Sequence, residues 1–257
     1  ANLRYPASVA RAVEGAKVVV NTVGILAASG RQTFEAVHVE GARTVAKVAK
    51  AAGATHLVHV SAIGADPKSP GRYGRTKAAG EAAVLAEFPE AIILRPSIVF
   101  GPEDEFFNRF AAMAQRSPAL PAVGGGKTKF QPVFVGDVAE AIARAVDGRV
   151  AGGAYELGGP EQRTMRELML YMLGVIGRRR LLLPLPWPIA MLQAEFLEML
   201  PGGLLTVDQV RMLRVDNVVS SAATAEQRTL EGVGVTPTPV EAVVPAYLWR
   251  FRTAGQF

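Results

Sequence analysis

Short apolar runs alternate with alanine-rich segments along the first 160 residues. Strands are predicted at residues 17–26, 55–63 and 91–100, and in the first of them nearly every residue after Lys17 is apolar, as in strands covered on both faces. Between them, residues 34–52 and 73–88 have the composition of helices. Because strands that alternate with helices are joined by right-handed crossovers, this pattern predicts a doubly wound α/β fold with a parallel sheet.

The second half of the chain has a different pattern. A short strand is predicted at residues 130–135, and Asp137 follows at the position that would cap a helix running to Val146. Thr164 and Glu167 have the spacing of a capping box, which predicts the start of another helix.

Beyond Arg180 the chain is punctuated by prolines and helical in pattern, and it ends in an amphipathic segment at residues 240–251. We therefore divide the chain into a sheet region at residues 1–160 and a smaller, mostly helical lobe at residues 161–257. The lobe is expected to pack on the sheet and to contact a substrate or partner.

Composition narrows the chemistry that the chain can perform. It has no cysteine, which excludes disulfides, thiolate metal sites and a cysteine nucleophile. Of its three histidines, His56 and His59 have the odd spacing that places strand residues on opposite faces, so no metal site is expected. The net charge is +5, but aromatic residues do not alternate with the basic ones, and nucleic-acid binding is therefore not expected.

No apolar stretch is long enough to cross a bilayer, because prolines and glutamates interrupt the best candidate at residues 181–200. Three arginines at 178–180 precede this segment, and with its leucines and Trp187 they form a combination that can lie on an anionic membrane surface. A stripe of apolar residues follows at Ile189, Leu192, Phe196 and Met199. We expect this stripe to pack on the protein itself, with a lipid or partner surface as the alternative.

One expected motif is missing. A dinucleotide-binding α/β fold begins with a strand, a glycine-rich turn and a helix whose N-terminus holds the pyrophosphate, but no G-x-G-x-x-G occurs here and residues 7–14 look helical. We expect the first strands and this turn to precede residue 1. The strand at residues 17–26 is then expected at an exposed sheet edge, and dinucleotide binding by this chain alone is expected to be weak.

Tyr73 and Lys77 are four residues apart in a predicted helix, which places both on one helical face. An ammonium beside a phenol favours the phenolate, so we expect Lys77 to lower the pKa of Tyr73 towards a range useful for acid–base catalysis. The same ammonium can bond a ribose hydroxyl. The alternative is an ordinary exposed helix face.

Other candidate residues follow the ends of the predicted strands, where ligand sites of α/β folds form. Ser61 ends the second strand and has a hydroxyl that can donate to a substrate oxygen, or else to its own backbone. The remaining candidates lie at the ends of the first and third strands. A glycine there lets a cofactor approach the backbone closely, and a proline leaves backbone groups free to bond the amide of a nicotinamide. These candidates are Asn21, Thr22, Gly24, Pro96, Ser97 and Val99. For these, a purely structural role at the strand ends is the alternative.

At these residues the sequence resembles the atypical short-chain dehydrogenase/reductase family. The matching stretches follow one another in the family's order: VVVNTVGIL, HLVHVSAIGAD, RYGRTKAAGE, ILRPSIVFGPED, FQPVFVGDVAEAI, YELGGPEQRTMREL and LLTVDQVRML. Within the family, SAIGAD, RYGRTKAAGE and LLTVDQVRML are most similar to the group around the NADPH-binding accessory subunit of respiratory complex I and its bacterial relatives.

The resemblance implies a Rossmann-type sheet that binds NADP(H) in preference to NAD(H). It places Tyr73 and Lys77 at the family's active-site tyrosine and lysine, with Ser61 on the serine-bearing strand end. In extended members the serine lies slightly later, where this chain has residues 62–64, so a complete catalytic triad is not implied. The other strand-end candidates fall where relatives line the nicotinamide.

The resemblance also implies a place of action. The expected partners are a dinucleotide, subunits of respiratory complex I, and a quinone or lipid-like ligand. The expected location is the bacterial cytoplasm, peripheral on the inner membrane, or the matrix side in mitochondria.

Three functional hypotheses follow. The first is a NAD(P)H-binding accessory protein of complex I or quinone metabolism, in which binding matters more than turnover. The second is an active oxidoreductase that uses Tyr73 as acid and base, and the third is a sensor of the nucleotide's redox state.

Overall fold

The computed structural model describes residues 1–198 and 205–253. The strands are β1 Val18–Asn21, β2 His56–Val60, β3 Ile92–Pro96, β4 Val99–Phe100, β5 Ala119–Val123, β6 Lys129–Phe130, β7 Val133–Phe134, β8 Gly153–Leu157, β9 Arg163–Thr164 and β10 Leu181–Leu185. The α-helices are α1 Pro6–Val13, α2 Ala42–Ala51, α3 Arg72–Glu87, α4 Phe107–Arg116, α5 Val135–Val146, α6 Met165–Val175, α7 Trp187–Glu198, α8 Val207–Met212, α9 Ser221–Ala225 and α10 Val240–Leu248. A π-helical segment, Glu35–Gly41, precedes α2, and short 3₁₀ turns occur at Gly124–Gly126 and Trp249–Phe251.

The main sheet has four parallel strands in the order β1-β2-β3-β8. Helices connect these strands, so the predicted α/β fold with a parallel sheet is confirmed. One side of the sheet packs against α1, α2 and α3 through an apolar cluster that includes Val45, Leu57, Val84 and Ile93. Since the strands are parallel, their carboxyl ends share one edge of the sheet, and that edge is where the candidate residues were expected.

The chain forms two compact units, each assembled from separate stretches. The first contains Ala1–Pro96, Ala139–Leu157 and Ser220–Val235, and therefore all four strands of the main sheet. The second takes the rest of the described residues, and its core includes Phe107, Leu120, Leu168 and Met172. The predicted division at residue 160 assigned different functional roles to the two parts of the chain. The compact units do not test those roles, so the division stays a prediction.

Several predicted strands are shorter in the structure. The strand predicted at residues 91–100 is two strands in different sheets, β3 and β4. The one predicted at residues 130–135 is also two strands, β6 and β7, separated by Gln131 and Pro132. Proline lacks the N–H that a continuous ladder needs, and each break contains or follows a proline.

The capping predictions had different outcomes. The box at Thr164 and Glu167 is confirmed, because each side chain bonds the other residue's backbone N–H. The prediction that Asp137 caps a helix is wrong, since α5 begins two residues earlier. The Asp137 carboxylate instead accepts hydrogen bonds from the Thr238 backbone N–H at 2.7 Å and hydroxyl at 2.9 Å.

The apolar stripe also differs from expectation. Ile189, Leu192 and Phe196 are 49%, 64% and 74% exposed, so the prediction that they pack on the protein is wrong. Ala190 and Ala194 form the buried side of α7 instead. Met199 lies outside the described residues. No helix among residues 1–198 and 205–253 combines the length and the hydropathy needed to cross a membrane.

Candidate functional site

The site begins where α3 lies against the π-helical segment. Gly80 allows this close approach, because a Cβ at that position would lie 2.0 Å from the backbone oxygen of His38. The approach brings Tyr73 and Lys77 of α3 beside the side chain of His38. The helix predicted at residues 73–88 is therefore confirmed, and its Tyr-x-x-x-Lys face points towards protein and the sheet edge rather than to open solvent.

Lys77 is buried beneath the sheet edge, with an exposed fraction of 4%. Its ammonium donates a hydrogen bond to the backbone oxygen of Val60, the last residue of β2, at 2.9 Å. Burial lowers the pKa of Lys77 to about 8, and the carboxylate of Glu81 opposes this change. The amine is thus held at the end of a strand. Its bond to Val60 uses one of its three N–H groups and leaves two for other acceptors.

Glu81 and Arg95 fix the helix that carries the lysine. The guanidinium of Arg95, on β3, donates to the Glu81 carboxylate at distances of 2.5–3.2 Å. A second carboxylate, from Glu156 on β8, lies 3.7 Å from the same guanidinium. Arg95 therefore braces α3 against two strands.

Tyr73 lies one helical turn before Lys77, in an aromatic cluster. Its ring makes edge contacts with His38, at a centroid distance of 5.4 Å, and with Phe34, at 6.2 Å. Burial raises the pKa of Tyr73 to about 12. The expectation that the lysine lowers this pKa is therefore wrong for the protein alone, because burial, which disfavours the phenolate, is what shifts it.

His38 is a site residue that sequence reasoning missed. Its Nε2 accepts a hydrogen bond from the backbone N–H of Ile25 at 3.1 Å, so the proton is on Nδ1, which donates to the Thr76 hydroxyl at 3.0 Å. That hydroxyl in turn donates to the backbone oxygen of Tyr73 at 3.0 Å. Burial and the charge of Lys77 lower the pKa of His38 to about 4. A neutral imidazole in one tautomer thus ties the loop after β1 to α3.

The signal for His38 was present in the helical spacing. Phe34, His38, Ala42 and Val45 follow one another at intervals of three or four, so they share a face. Three of the four are apolar, and this face is the one that the structure buries. A histidine on an apolar face requires hydrogen-bond partners, but the pattern alone did not identify Ile25 and Thr76.

Asn21 ends β1 and shapes the following turn. Its amide donates to Nδ1 of the buried His59 at 3.0 Å, and its oxygen accepts from the backbone N–H of Val23 at 3.1 Å. Burial, with the charge of Lys77, lowers the pKa of His59 to about 3. The structure thus gives the Asn21 side chain protein partners on both sides, and its cofactor role stays a prediction.

The turn after Asn21 is open to solvent and passes over the buried amine. Thr22 and Gly24 are exposed. A Cβ placed on Gly24 would lie 3.8 Å from both Nε2 of His38 and Nζ of Lys77. The missing side chain therefore leaves a point at which a small polar group can approach these nitrogens from outside.

Ser61 follows Val60 directly at the same edge. Its backbone N–H donates to the oxygen of Leu94 at 2.7 Å, which continues the pairing with β3. The side chain is 4% exposed, and its hydroxyl has no hydrogen-bond partner among the described residues. A buried hydroxyl without a partner costs about 1–3 kcal/mol. Because unpartnered buried hydroxyls are uncommon in proteins, Ser61 is a candidate for contact with a ligand.

The candidates at the end of β3 have protein partners. The oxygen of Pro96 accepts from the backbone N–H of Ile63 at 2.9 Å. Ser97, in the second unit, donates to Asn217 at 2.7 Å and accepts from the backbone N–H of Gln131 at 3.3 Å. Val99 pairs with Val133 in a two-stranded sheet. The structure therefore gathers Asn21, Gly24, Ser61, Tyr73 and Lys77 at one edge of the first unit, while Ser97 and Val99 belong to the second.

Comparisons with known proteins give the family. The model of the RmlD substrate binding domain matches residues 1–178. Among curated proteins, the mitochondrial NADH dehydrogenase (ubiquinone) 1 alpha subcomplex subunit 9 of Arabidopsis thaliana is 36% identical over 93% of this chain. The match spans 62% of that protein's length.

Solved structures support the fold. The crystal structure of gox2253 has a TM-score of 0.73 with 23% identity, and the match covers 100% of this chain and 84% of that one. The enzyme WbmG of Bordetella bronchiseptica, solved with NAD and UDP, has a TM-score of 0.67 with 17% identity and covers 98% of this chain and 78% of its own. Both are Rossmann-like α/β neighbours of this chain.

Proposed function

The chain belongs to the atypical short-chain dehydrogenase/reductase family of NAD(P)-binding proteins, with an RmlD-type domain, and on that premise we propose that it is a NAD(P)H-binding protein. The nucleotide site is the sheet edge around Lys77 in the first unit. One observation carries this proposal: the buried hydroxyl of Ser61 has no partner among residues 1–198 and 205–253, and it lies directly beside the strand end that holds the Lys77 amine.

The residues at this edge fit a dinucleotide. The two remaining N–H groups of Lys77 suit ribose hydroxyls, and the open backbone at Gly24 lets a flat amide or sugar come near them. The unpartnered hydroxyl of Ser61 gains a hydrogen bond when a polar group occupies the site. When bound, the nicotinamide supplies hydride transfer. Similarity to the NADPH-binding subunit of complex I favours NADP(H) over NAD(H).

The proposed role is that of an accessory protein linked to complex I or to quinone metabolism. Similarity to the Arabidopsis thaliana subunit over 93% of the chain supports it. The protein is then peripheral to the membrane, on the cytoplasmic side in a bacterium. Binding comes ahead of turnover in this proposal, because a tyrosine with a pKa of about 12 does not readily release its proton near neutral pH.

Nucleotide binding can be tested by saturation-transfer NMR, which detects weak ligands. We expect signal transfer to NADPH, and a stronger effect than with NADH. Lys77→Met is expected to reduce the affinity at least about tenfold, since a charge-assisted hydrogen bond contributes about 1.5–3 kcal/mol. Lys50→Met, at an exposed lysine on α2, is the matched control. Unchanged affinity in Lys77→Met, or no transfer from either nucleotide, contradicts the proposal.

A second candidate function is an active oxidoreductase. The observation that favours it is the shared face of Tyr73 and Lys77 at the edge that ends in Ser61. In this case Tyr73 gives its proton to a substrate carbonyl, and the lysine stabilises the phenolate that results. Tyr73→Phe distinguishes the two functions, because an enzyme loses turnover while a nucleotide-binding accessory protein keeps its affinity and its assembly.

A further inference from the structure

Helix α7 exposes hydrocarbon along one of its sides. Ile189, Leu192 and Phe196 are spaced three and four residues apart, so they share a face, which we call the α7 stripe. Their exposed fractions, 49%, 64% and 74%, are large for side chains of this size. Strand β10, which leads into α7, adds Leu181 and Leu183 at 69% and 53%, both on one side of the strand.

The opposite side of α7 is firmly attached to its own unit. Ala190 and Ala194 are fully buried, in a cluster with Val123 and Val210. Trp187, at the start of the helix, lies against Gly124, where a Cβ would be only 2.3 Å from the indole ring. The stripe is therefore held outward by a packed helix, and it cannot turn inward without breaking this cluster.

Basic residues occur on the elements that neighbour α7 in the chain or in the packing. The guanidinium of Arg214 lies over the ring of Trp187, 5.4 Å from its centroid. Arg211, on the neighbouring α8, is exposed, and so is Arg179 just before β10. Acidic residues are also present: Glu195 lies about a quarter of a turn from the centre of the stripe, Glu198 lies on the opposite side of α7, and Asp208 is on α8.

We propose that α7 docks this protein on an anionic lipid bilayer. The α7 stripe and the exposed leucines of β10 enter the boundary between headgroups and acyl chains, and Arg179, exposed two residues before Leu181, lies at the headgroup level. Elements that lie in the membrane interface combine these features: phenylalanine and leucine on one face, with a basic residue beside it. This inference rests on the peripheral location in the proposed function, and it assigns that location to one element.

Charge and area favour lipid over a second copy of the chain. With a net charge of +5, two copies repel one another, whereas anionic headgroups attract the arginines. The three side chains of the stripe offer an area on the order of 300 Å², well below the roughly 800 Å² that each partner buries in a stable protein interface. A bilayer needs no such area and no shape complementarity.

Vesicle flotation with the whole chain tests this docking. We expect flotation with vesicles that contain phosphatidylglycerol, and much less with phosphatidylcholine alone. The double variant Leu192→Gln with Phe196→Gln is expected to reduce partitioning at least about tenfold, since both side chains lose their transfer into hydrocarbon. Arg179→Gln is expected to reduce it about fivefold, and only with the anionic vesicles.

Leu170→Gln is the matched control, because Leu170 is 48% exposed on α6; its partitioning should equal that of the unmodified protein. NADPH binding is measured on every variant, so that loss of docking with intact nucleotide affinity separates this inference from the nucleotide site. Equal flotation of the double variant overturns the inference. So does a dimer in sedimentation that the double variant abolishes, without any flotation.

Discussion

The surroundings of Lys77 and the α7 stripe depart from the usual distribution of polar and apolar groups in opposite directions. Around Lys77 the protein buries an ammonium, two histidines and a serine hydroxyl within its first unit. Along α7 the second unit leaves a leucine, an isoleucine and a phenylalanine in water. Both arrangements cost folding free energy, the first through lost hydration and the second through unburied hydrocarbon.

The two regions differ in how the chain compensates for the cost. Nearly every polar group near Lys77 is bonded: the lysine to Val60, His38 to Ile25 and Thr76, and His59 to Asn21. Only the Ser61 hydroxyl lacks a partner among the described residues. The stripe has no such compensation within the described chain. A buried polar group or an exposed apolar side chain therefore indicates a functional site most clearly where another molecule can supply the contact that the protein does not make.

The largest effect should come from filling the contact that holds the lysine region together. Gly80→Ala places a methyl group 2.0 Å from the His38 backbone oxygen, so we expect a loss of about 4 kcal/mol in the free energy of unfolding, measured by urea denaturation. Gly174→Ala is the matched control: it lies in α6 with no atom near its Cβ, and it should change stability by less than about 1 kcal/mol.

Phe196→Gln tests the contrast between the two regions by the same measurement, the free energy of unfolding in urea. Because its side chain is 74% exposed, we expect a change within about 0.5 kcal/mol. If Gly80→Ala were as mild as Phe196→Gln, the dense packing of α3 on the π-helical segment would be disproved as the support of the lysine.

The dependence of stability on pH gives the next largest effect. Burial lowers the pKa of Lys77 from 10.5 to about 8 in the folded protein, so the charged lysine opposes folding below pH 8, and this cost disappears as the pH rises towards 10.5. Between about pH 7 and about pH 9.5, the unfolding free energy should rise by about 2 kcal/mol relative to Lys77→Met.

The upper limit of this range is set by Tyr73, whose pKa is raised to about 12 and whose effect has the opposite sign above pH 10. Lys50→Met is the control, and it should follow the unmodified protein at each pH. A flat difference between Lys77→Met and the unmodified protein would contradict the burial of the amine.

The features of this site that the sequence predicted are those determined by residues close together in the chain. The parallel sheet, α3 and the shared face of Tyr73 and Lys77 follow from spacings of two to four residues, and these predictions are confirmed. The role of His38 depends on Thr76, which is 38 residues away, and the raised pKa of Tyr73 depends on burial, to which Phe34 and His38 contribute from elsewhere in the chain. Local patterns do not contain that information.

The same reasoning explains the errors at Asp137 and in the stripe. The bond of Asp137 to Thr238 spans 101 residues, whereas a cap is judged from its nearest neighbours. The stripe at Ile189, Leu192 and Phe196 was correctly identified as an apolar face, but periodicity does not show which face of a helix is buried. The two alanines, with little apolar area of their own, occupy the packed side because they allow α7 to lie close to Val123 and Val210.

The smallest effect concerns the hydroxyl of Ser61. Without a nucleotide, Ser61→Ala should raise the unfolding free energy by about 1 kcal/mol, because it removes a buried polar group that has no partner in the described part of the chain. Ser97→Ala is the matched control: Ser97 is equally buried, but its hydroxyl bonds Asn217 and Gln131, so its loss should cost about 1–2 kcal/mol.

With saturating NADPH the gain in Ser61→Ala should vanish, since the unmodified protein then bonds the nucleotide through this hydroxyl. Thermal denaturation with and without the nucleotide measures both the gain in the free protein and its loss on binding. A destabilised Ser61→Ala in the free protein would show that the hydroxyl already has a partner, and the lysine region would then lack the one uncompensated group that points to a ligand.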